Sequence, residues 1–481
     1  MDGNLKQKVI SGVIWRSVEQ FGIQIVNFIV AIVLARLLGP DAFGTIALLT
    51  IFIALSEVIA NAGFGQALIQ KKNADDLDFN SVFYFSCVIG ICLYFVLFFI
   101  APHVAVFYNL PILKILLRVL ALRVIVDMIA SVQNSYLSRN MLFKKSFIIA
   151  FPSIVFSAIV GICLAIFDFG VWALVWSTLA GCLLNLVLKW LIIGWRPSLQ
   201  FSFLRLRMLW GFGSKILISN FLDTFFSQLY SIVIGKVYTK EDLAFYNRGD
   251  HIPKIGMTCI QGAISSVIFP AFSKIQNDTE KLKEAMHKTM RIASMVVSPI
   301  MIGLAMMSRP IILVLLGEKW EFAVPFMQIA CFIYVFWPMY AISLQSIQAL
   351  GRSDIFLKLE IYKKIILLIV LVCTCKYGVI IIALGRLITS PLSMIINVYP
   401  NKKLIGYSFK NLFCDLKAGF ILSLLVVVFT LPILFLPIPD IYILLIQSVL
   451  FLFAIAIALK FLKLKELDSV LLQLKSKLKT K

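Results

Sequence analysis

The chain has 481 residues, of which 61% are hydrophobic and 14% charged, and its formal charge at pH 7 is +21. Soluble domains contain about 45–50% apolar and about 25% charged residues. This composition excludes an ordinary soluble enzyme, a nucleic-acid-binding domain and a disordered protein. The positive charge is explained by the positive-inside rule and by the attraction of basic side chains to anionic lipid headgroups.

Fourteen apolar segments are each long enough to cross a bilayer, which takes about 20 residues. We therefore predict an all-α polytopic membrane protein of about 14 transmembrane helices, with no connection long enough for a folded extramembrane domain. The predicted organisation is an amino-terminal lobe at 1–208, a carboxy-terminal lobe at 209–403, two accessory helices at 404–462 and a basic cytoplasmic tail at 463–481. The segments lie at 9–35, 43–69, 79–101, 114–138, 147–167, 170–194, 209–236, 243–270, 286–314, 322–350, 355–376, 378–400, 411–434 and 441–462.

Basic residues are distributed unevenly between the two predicted sides of the membrane. If the amino terminus is cytoplasmic and the segments alternate, 32 of the 45 Lys and Arg residues lie at cytoplasmic ends and seven at the opposite ends. This bias predicts that both termini are cytoplasmic. The first segment is too long for a signal peptide and contains Arg16 and Glu19, so we expect it to remain as a membrane span. The Leu–Lys alternation of the tail is typical of an amphipathic segment on the inner leaflet or of a disordered basic tail.

Residues separated by 200 positions form a candidate internal repeat. Ile32–Arg36 aligns with Ile232–Lys236, and the turn Gly39–Gly44 aligns with Thr239–Ala244. This shift spans six predicted helices, so the two halves keep the same orientation. The sequence therefore predicts two pseudo-symmetric six-helix lobes related by a parallel repeat, followed by two further helices.

Charged side chains inside the apolar segments are the clearest functional signal, since each costs about 2.5–3.5 kcal/mol at the centre of a membrane helix. The first half contains Arg16 on a polar helix face, Glu57 near the middle of its segment, and Arg123 four residues before Asp127. Arg123 and Asp127 can pair on one helix face. Glu57 is predicted to bind a coupling ion or to pair with Arg16 or Arg123. A structural ion pair for Arg123, and snorkelling of Arg16 to the headgroups, are the alternatives.

The second half contains Lys215, Asp223, Arg248 and Lys254, and Arg386 is isolated by sequence. Asp223 lies near the middle of its segment, whereas Arg248 and Lys254 are close enough to a segment end to snorkel. Because intramembrane cations outnumber acids, we predict a water-filled cavity that attracts an anion, with a diphosphate as the natural partner of arginine.

The candidate site residues fall into two groups. The first group is predicted to bind substrate: Arg16, Arg123, Lys215, Arg248 and Lys254. The second is predicted to bind a coupling ion or to balance charge: Glu57, Asp127 and Asp223.

Enzymatic and cofactor motifs are missing from the sequence. It has neither the G-x-x-x-x-G-K-[ST] loop of ATP-driven motors nor an H-E-x-x-H zinc motif. Of the nine cysteines only Cys373 and Cys375 are close together, and no further ligands accompany them, so buried thiols are favoured over a zinc site. We predict a protein that is not an enzyme and holds no cofactor or metal.

Several motifs resemble those of a known transporter family. They are Trp15-Arg16, ARLLGPDAFG at 35–44, GFGQA at 63–67, LAFYNRG at 243–249 and FPAFS at 269–273. Together they resemble polysaccharide exporters of the multidrug/oligosaccharidyl-lipid/polysaccharide (MOP) flippase superfamily. Within it the similarity is to the Wzx-type branch, which exports lipopolysaccharide O-units, colanic acid and teichuronic acid.

This resemblance implies a fold like that of the multidrug MATE transporters, which alternates between inward-open and outward-open V shapes. The implied substrate is an undecaprenyl-diphosphate-linked oligosaccharide, moved from the inner to the outer leaflet of the bacterial inner membrane with coupling to an ion gradient. Arg16 and Arg248 match motif positions of the family. Membrane lipids, a polysaccharide polymerase and a chain-length regulator are the candidate partners, and no nucleic acid is expected.

The sequence leaves three alternative functions to compare with this one. A cation-coupled multidrug exporter of the same superfamily would favour an acidic, aromatic cavity. A scaffold in a polysaccharide-assembly complex would have no need of intramembrane charge. A membrane glycosyltransferase or polymerase would need a longer loop carrying catalytic acids than any found here.

Overall fold

The computed structural model describes residues 3–62, 64–71 and 73–461. Within these ranges the chain consists of helices and short connections and contains no strand, which confirms the all-α prediction. Each of the fourteen predicted segments coincides with helix. The basic tail predicted at 463–481 and the side chain of Arg16 lie outside the described residues.

The helices have the length and surface of membrane spans. Within the described ranges, nine candidate spans are long and apolar enough to cross a membrane, and one of them, Val18–Gln70, includes two predicted segments. Phe167, Leu191 and Val372 are at least 70% exposed, as expected for apolar side chains that contact lipid. The protein is therefore a multi-pass membrane protein, and the count of 14 helices stays a prediction.

The chain divides into two compact units, Met1–Ala244 and Phe245–Lys481. Helix α9 begins in the first unit and ends in the second. The first unit contains α1 Gly3–Ala62, α2 Phe64–Gln70, α3 Asp76–Tyr108, α4 Ile112–Leu120, α5 Leu122–Arg139, α6 Phe143–Ile166, α7 Val171–Ile192, α8 Phe203–Val237 and the start of α9 Lys240–Lys274. The second contains the rest of α9, α10 Thr279–Met306, α11 Ser308–Leu315, a 3₁₀ helix Glu318–Ala323, α12 Val324–Ala349, α13 Ser353–Thr374, α14 Val379–Ile405, α15 Phe409–Thr430, a 3₁₀ helix Leu431–Phe435 and α16 Asp440–Phe461.

Two predicted segments are interrupted in the structure. The segment at 114–138 forms α4 and α5, which are separated by Ala121. The segment at 286–314 forms α10 and α11, which are separated by Met307. The second break has a clear cause, because Pro310 has no N–H for the Met306 carbonyl and so cannot continue the hydrogen-bond ladder of α10.

Helix α1 is two helices joined at Gly39, whose φ of 72° lies in the left-handed region that glycine adopts readily. Pro40 starts the second helix, since its fixed φ suits a first helical position. This turn packs against the start of α9, where Lys240 pairs with Asp41. An added Cβ on Gly44 would lie 2.0 Å from the carbonyl oxygen of Lys240. The two turns aligned by the internal repeat therefore contact each other within the first unit.

Replacing Gly44 with alanine is expected to destabilise the protein by about 1–3 kcal/mol, because the methyl group overlaps the Lys240 backbone and neither helix can move freely. Thermal unfolding in detergent measures the effect. Gly211→Ala is the matched control, since no atom lies within 4 Å of its added Cβ. Equal melting temperatures for the two variants would show that the contact between the turns contributes nothing.

Helices α6 and α7 pack closely through small residues. An added Cβ on Gly161 would lie 2.8 Å from Cβ of Ser177, and one on Gly181 would lie 2.8 Å from Cβ of Ser157. The Ser157 hydroxyl donates a 2.7 Å hydrogen bond to the Ser177 carbonyl. Small residues drive such association in lipid because they let the backbones approach. The packing fixes α7, and with it Lys189, against α6.

Candidate functional site

The centre of the candidate site in the first unit is an arginine shared by two carboxylates. Arg123 Nε donates a 3.1 Å hydrogen bond to Asp127 Oδ2 one turn further along α5. Its Nη2 pairs with Glu57 on the second half of α1. The structure therefore forms both predicted pairings, that of Arg123 with Asp127 and that of Glu57 with Arg123. One guanidinium facing two carboxylates leaves the group one negative charge in excess if both acids are ionised.

The site also contains a polar cavity. Its volume is about 440 Å³, and Glu57 lines it together with Asp223 of α8. Gln66, Asn220 and Thr224 contribute further polar groups to the lining. The structure thus brings together two acids that are 166 positions apart in the sequence, and it connects the cavity through Glu57 to Arg123 and Asp127.

Lys189 of α7 also lies in this region. It was not predicted as a site residue, because its position in the sequence is near the cytoplasmic end of its segment. Its exposed fraction is only 6%. Its charge interacts with the carboxylates of Asp127 and Glu19. Glu19 is equally buried and accepts a 2.7 Å hydrogen bond from the Ser146 hydroxyl. The sequence neighbours of Lys189 are apolar, and this could have indicated that its side chain is buried.

The other predicted substrate-binding residues lie elsewhere along the chain, and the side chain of Arg16 is outside the described residues. Lys215 is exposed on α8, eight residues before Asp223, and Lys254 is exposed on α9. Arg248, in the second unit, stacks over the Trp320 ring with its guanidinium carbon 5.9 Å from the ring centroid. Arg123 is the member of the predicted cationic set that the structure places between Glu57 and Asp127.

A second charged cluster lies within the second unit. Arg386 Nη1 donates hydrogen bonds to the Tyr246 hydroxyl at 2.6 Å and to Asp250 Oδ1 at 3.3 Å. The Tyr334 hydroxyl donates to the same carboxylate at 3.1 Å. The interpretation of Arg386 as isolated is therefore wrong. Its partners are 136 and 140 positions away in the sequence, and only the i,i+4 spacing of Tyr246 and Asp250 on α9 signalled a shared helix face.

Acids and bases both contribute to the charge of this region. Among the described side chains around Arg123, the acids are Glu19, Glu57, Asp127 and Asp223, and the bases are Arg123 and Lys189. The predicted cationic surplus also counted Arg16, whose side chain lies outside the described residues, and cations of the second unit, so it stays a prediction.

Comparisons with known proteins support the same fold and family. WzxC, a lipopolysaccharide biosynthesis protein of Escherichia coli (strain K12), is 24% identical over 429 residues, covering 88% of this chain and 86% of WzxC. The solved structure of the lipid II flippase MurJ in an inward closed conformation matches with a TM-score of 0.72 and 16% identity, covering 93% of this chain and 99% of MurJ. An inward-facing multidrug resistance MATE family transporter of the MOP superfamily matches with a TM-score of 0.65 and 16% identity, covering 82% of this chain and 98% of that one.

The two structural matches establish the fold, which is that of the MurJ and MATE transporters. The resemblance to polysaccharide exporters that the sequence motifs indicated is confirmed. A sequence model of the family described as "Polysaccharide biosynthesis protein" matches residues 33–325, which is more than half of the chain. The protein therefore belongs to the polysaccharide biosynthesis protein family.

Proposed function

We propose that this protein is a flippase of the bacterial inner membrane. Its substrate is an undecaprenyl-diphosphate-linked oligosaccharide repeat unit, which it moves from the inner to the outer leaflet by alternating access, driven by an ion gradient. Family membership and the names of WzxC and MurJ support the substrate class. The observation that carries the proposal is Arg123, shared by Glu57 and Asp127 beside a cavity that Asp223 also lines.

The shared arginine offers a way to link substrate and ion. A diphosphate entering the cavity competes with Glu57 and Asp127 for the guanidinium, whose planar donors suit phosphate oxygens. Protonation of one carboxylate, or sodium binding to it, removes a competitor and strengthens the hold of Arg123 on the diphosphate. Asp223 faces the same cavity and receives the coupling ion in this scheme.

The other predicted residues and partners keep their roles as part of this proposal. Arg16, Lys215, Arg248 and Lys254 attract the anionic headgroup, and the isoprenoid chain stays in lipid. Both termini are cytoplasmic, and a polymerase and a chain-length regulator act on the exported unit. Alanine variants at each of the four cations, assayed one at a time, test the first statement.

Purified protein reconstituted in proteoliposomes tests the function directly. The substrate is a synthetic undecaprenyl-diphosphate oligosaccharide, and its transfer is measured without a gradient, with a proton gradient and with a sodium gradient. We expect transfer that one of the gradients accelerates. Failure of several different glycans to transfer under all three conditions would overturn the proposed function.

Asp223→Asn is expected to lower gradient-driven transfer by at least about tenfold, which corresponds to about 1.4 kcal/mol. The amide keeps the shape of the side chain but carries neither a negative charge nor an exchangeable acid proton, so the response to the gradient should disappear. Glu280→Gln, at an exposed acid in the first turn of α10, is the matched control. Full gradient dependence in Asp223→Asn would remove Asp223 from the coupling mechanism.

A cation-coupled multidrug exporter is the second candidate. The two acids that line the cavity beside Arg123, Glu57 and Asp223, favour it, because carboxylates attract cationic drugs. The same proteoliposomes can be tested for transport of a cationic dye. Dye transport without transfer of any lipid-linked glycan would favour this second function over the first.

A further inference from the structure

We propose that a second cavity of the first unit binds one neutral pyranose ring of the glycan. This inference rests on the proposed function, because it names the part of the substrate that this cavity recognises. The cavity has a volume of about 360 Å³ and lies among α1, α5, α6 and α7. Small-molecule pockets have volumes of about 300–1,000 Å³, so this one suits a single sugar ring better than a longer glycan.

Lys189 provides the strongest argument for a ligand. It is 94% buried and lines the cavity, and its charge interacts with the carboxylates of Asp127 and Glu19, yet within the described part of the chain it makes no hydrogen bond and no ion pair within 4 Å. A buried ammonium is costly unless oxygen atoms surround it. Its three donors therefore remain available for oxygen atoms of a molecule in the cavity.

The other lining groups suit hydroxyls rather than a charged ligand. Among the described residues, the side-chain amides of Asn134 and Asn185 form no hydrogen bond with another protein group, so each offers donors and an acceptor. The Glu19 carboxylate, which accepts a hydrogen bond from the Ser146 hydroxyl, is an oxygen group of the same lining. A sugar hydroxyl both donates and accepts, so this mixture matches it.

The charge and shape of the cavity restrict further which ligand it can bind. The charged groups among the described lining residues are one acid, Glu19, and one base, Lys189, which disfavours an inorganic anion near the carboxylate and a bare cation near the ammonium. The ring of Phe143 also lines the cavity and offers an apolar surface for the C–H face of a pyranose. A neutral sugar ring satisfies both the polar wall and the aromatic wall.

Saturation-transfer NMR on the full-length protein tests this site. The protein is placed in nanodiscs, since maltoside detergents would themselves supply sugar. The probes are the methyl glycosides of glucose, galactose and N-acetylglucosamine, with inorganic phosphate as a competitor. We expect at least one glycoside to receive saturation, with its ring C–H protons strongest, and phosphate not to displace it.

Two variants locate the binding. Lys189→Met and Asn185→Ala are each expected to weaken glycoside binding about tenfold. Lys145→Met is the matched control, because Lys145 is exposed on α6 and does not line the cavity. Methionine has nearly the volume of lysine and removes a buried charge, so this variant should fold. Asn185→Ala keeps Lys189 and provides an independent test.

The outcomes separate this inference from the proposed function. Absence of saturation for all three glycosides, equal binding by Lys189→Met and Lys145→Met, or displacement by phosphate would each overturn the sugar site. Transfer of lipid-linked glycan without glycoside binding would refute the sugar site and leave the flippase intact. Glycoside binding that depends on Lys189, without transfer of any lipid-linked glycan, would retain the site and refute the flippase.

Discussion

Alanine at position 123 is expected to reduce transfer of lipid-linked oligosaccharide at least about thirtyfold, equivalent to about 2 kcal/mol. Arg123 pairs with both Glu57 and Asp127, so its loss removes the guanidinium that lies between the two carboxylates of α1 and α5. Removing one partner of a fully buried pair costs about 3–5 kcal/mol. The cost in free energy of unfolding should be smaller here, because these side chains are 24–38% exposed.

Arg118→Ala is the matched control for this prediction. Arg118 belongs to the same predicted segment, but it stacks on Phe98, with its guanidinium carbon 3.8 Å from the ring centroid. Its loss should leave transfer close to wild type. Arg123→Lys separates charge from geometry, because an ammonium cannot bridge two carboxylates with the planar donors of a guanidinium. We expect intermediate transfer from it.

The assay should be accompanied by a measurement of protein amount and of melting temperature in the same membranes. If Arg123→Ala is folded and inactive while Arg118→Ala is active, the shared arginine is part of the transport path. If Arg123→Ala transfers substrate at the wild-type rate, the Glu57–Arg123–Asp127 network is only structural.

Local sequence patterns predicted the parts of this site that depend on one helix. Arg123 and Asp127 are four residues apart, and helix geometry alone places them on one face. Gly39-Pro40 predicted the turn in α1 because each residue has a specific backbone preference. Hydropathy predicted the helices, because unsatisfied backbone groups are costly in lipid and a helix satisfies them within its own segment.

Contacts between distant helices could not be predicted in this way. Arg386 and Asp250 are 136 positions apart, and nothing in a single sequence says which faces of α14 and α9 meet. Burial of Lys189 depends on how α6 and α7 pack through their glycines and serines. The predicted cationic surplus stays a prediction, because counting charges along segments does not show which side chains face the same cavity.

Asp415→Ala should be the most destabilising single substitution in the second unit, with a cost of about 3–5 kcal/mol. The Asp415 side chain is 1% exposed and lies on α15. It pairs with His287 of α10, whose Nδ1 is 2.7 Å from Oδ2, and it accepts a 2.8 Å hydrogen bond from the Tyr407 hydroxyl. Arg291 adds a longer contact at 3.5 Å. Loss of the carboxylate removes the acceptor of the Tyr407 hydroxyl and the partner of the His287 ring.

The hydrogen bond from Tyr407 should persist over the whole working range of pH. Burial raises the pKa of Tyr407 above its usual value, and the neighbouring Asp415 carboxylate raises it further. The hydroxyl therefore stays protonated and continues to donate. Tyr407→Phe should cost about 1–3 kcal/mol, less than loss of the carboxylate, because Asp415 keeps its contacts with His287 and Arg291.

Asp354→Ala provides the matched control, since Asp354 is also ion-paired but is 53% exposed beside Arg352. Exposed pairs contribute little to stability because water screens them, so this variant should melt close to wild type. Helix α15 also packs closely on α10 through Gly419, where an added Cβ would overlap Ser294. If Asp415→Ala melts no earlier than Asp354→Ala, that close packing alone holds α15 to α10, and the buried carboxylate contributes nothing to the attachment.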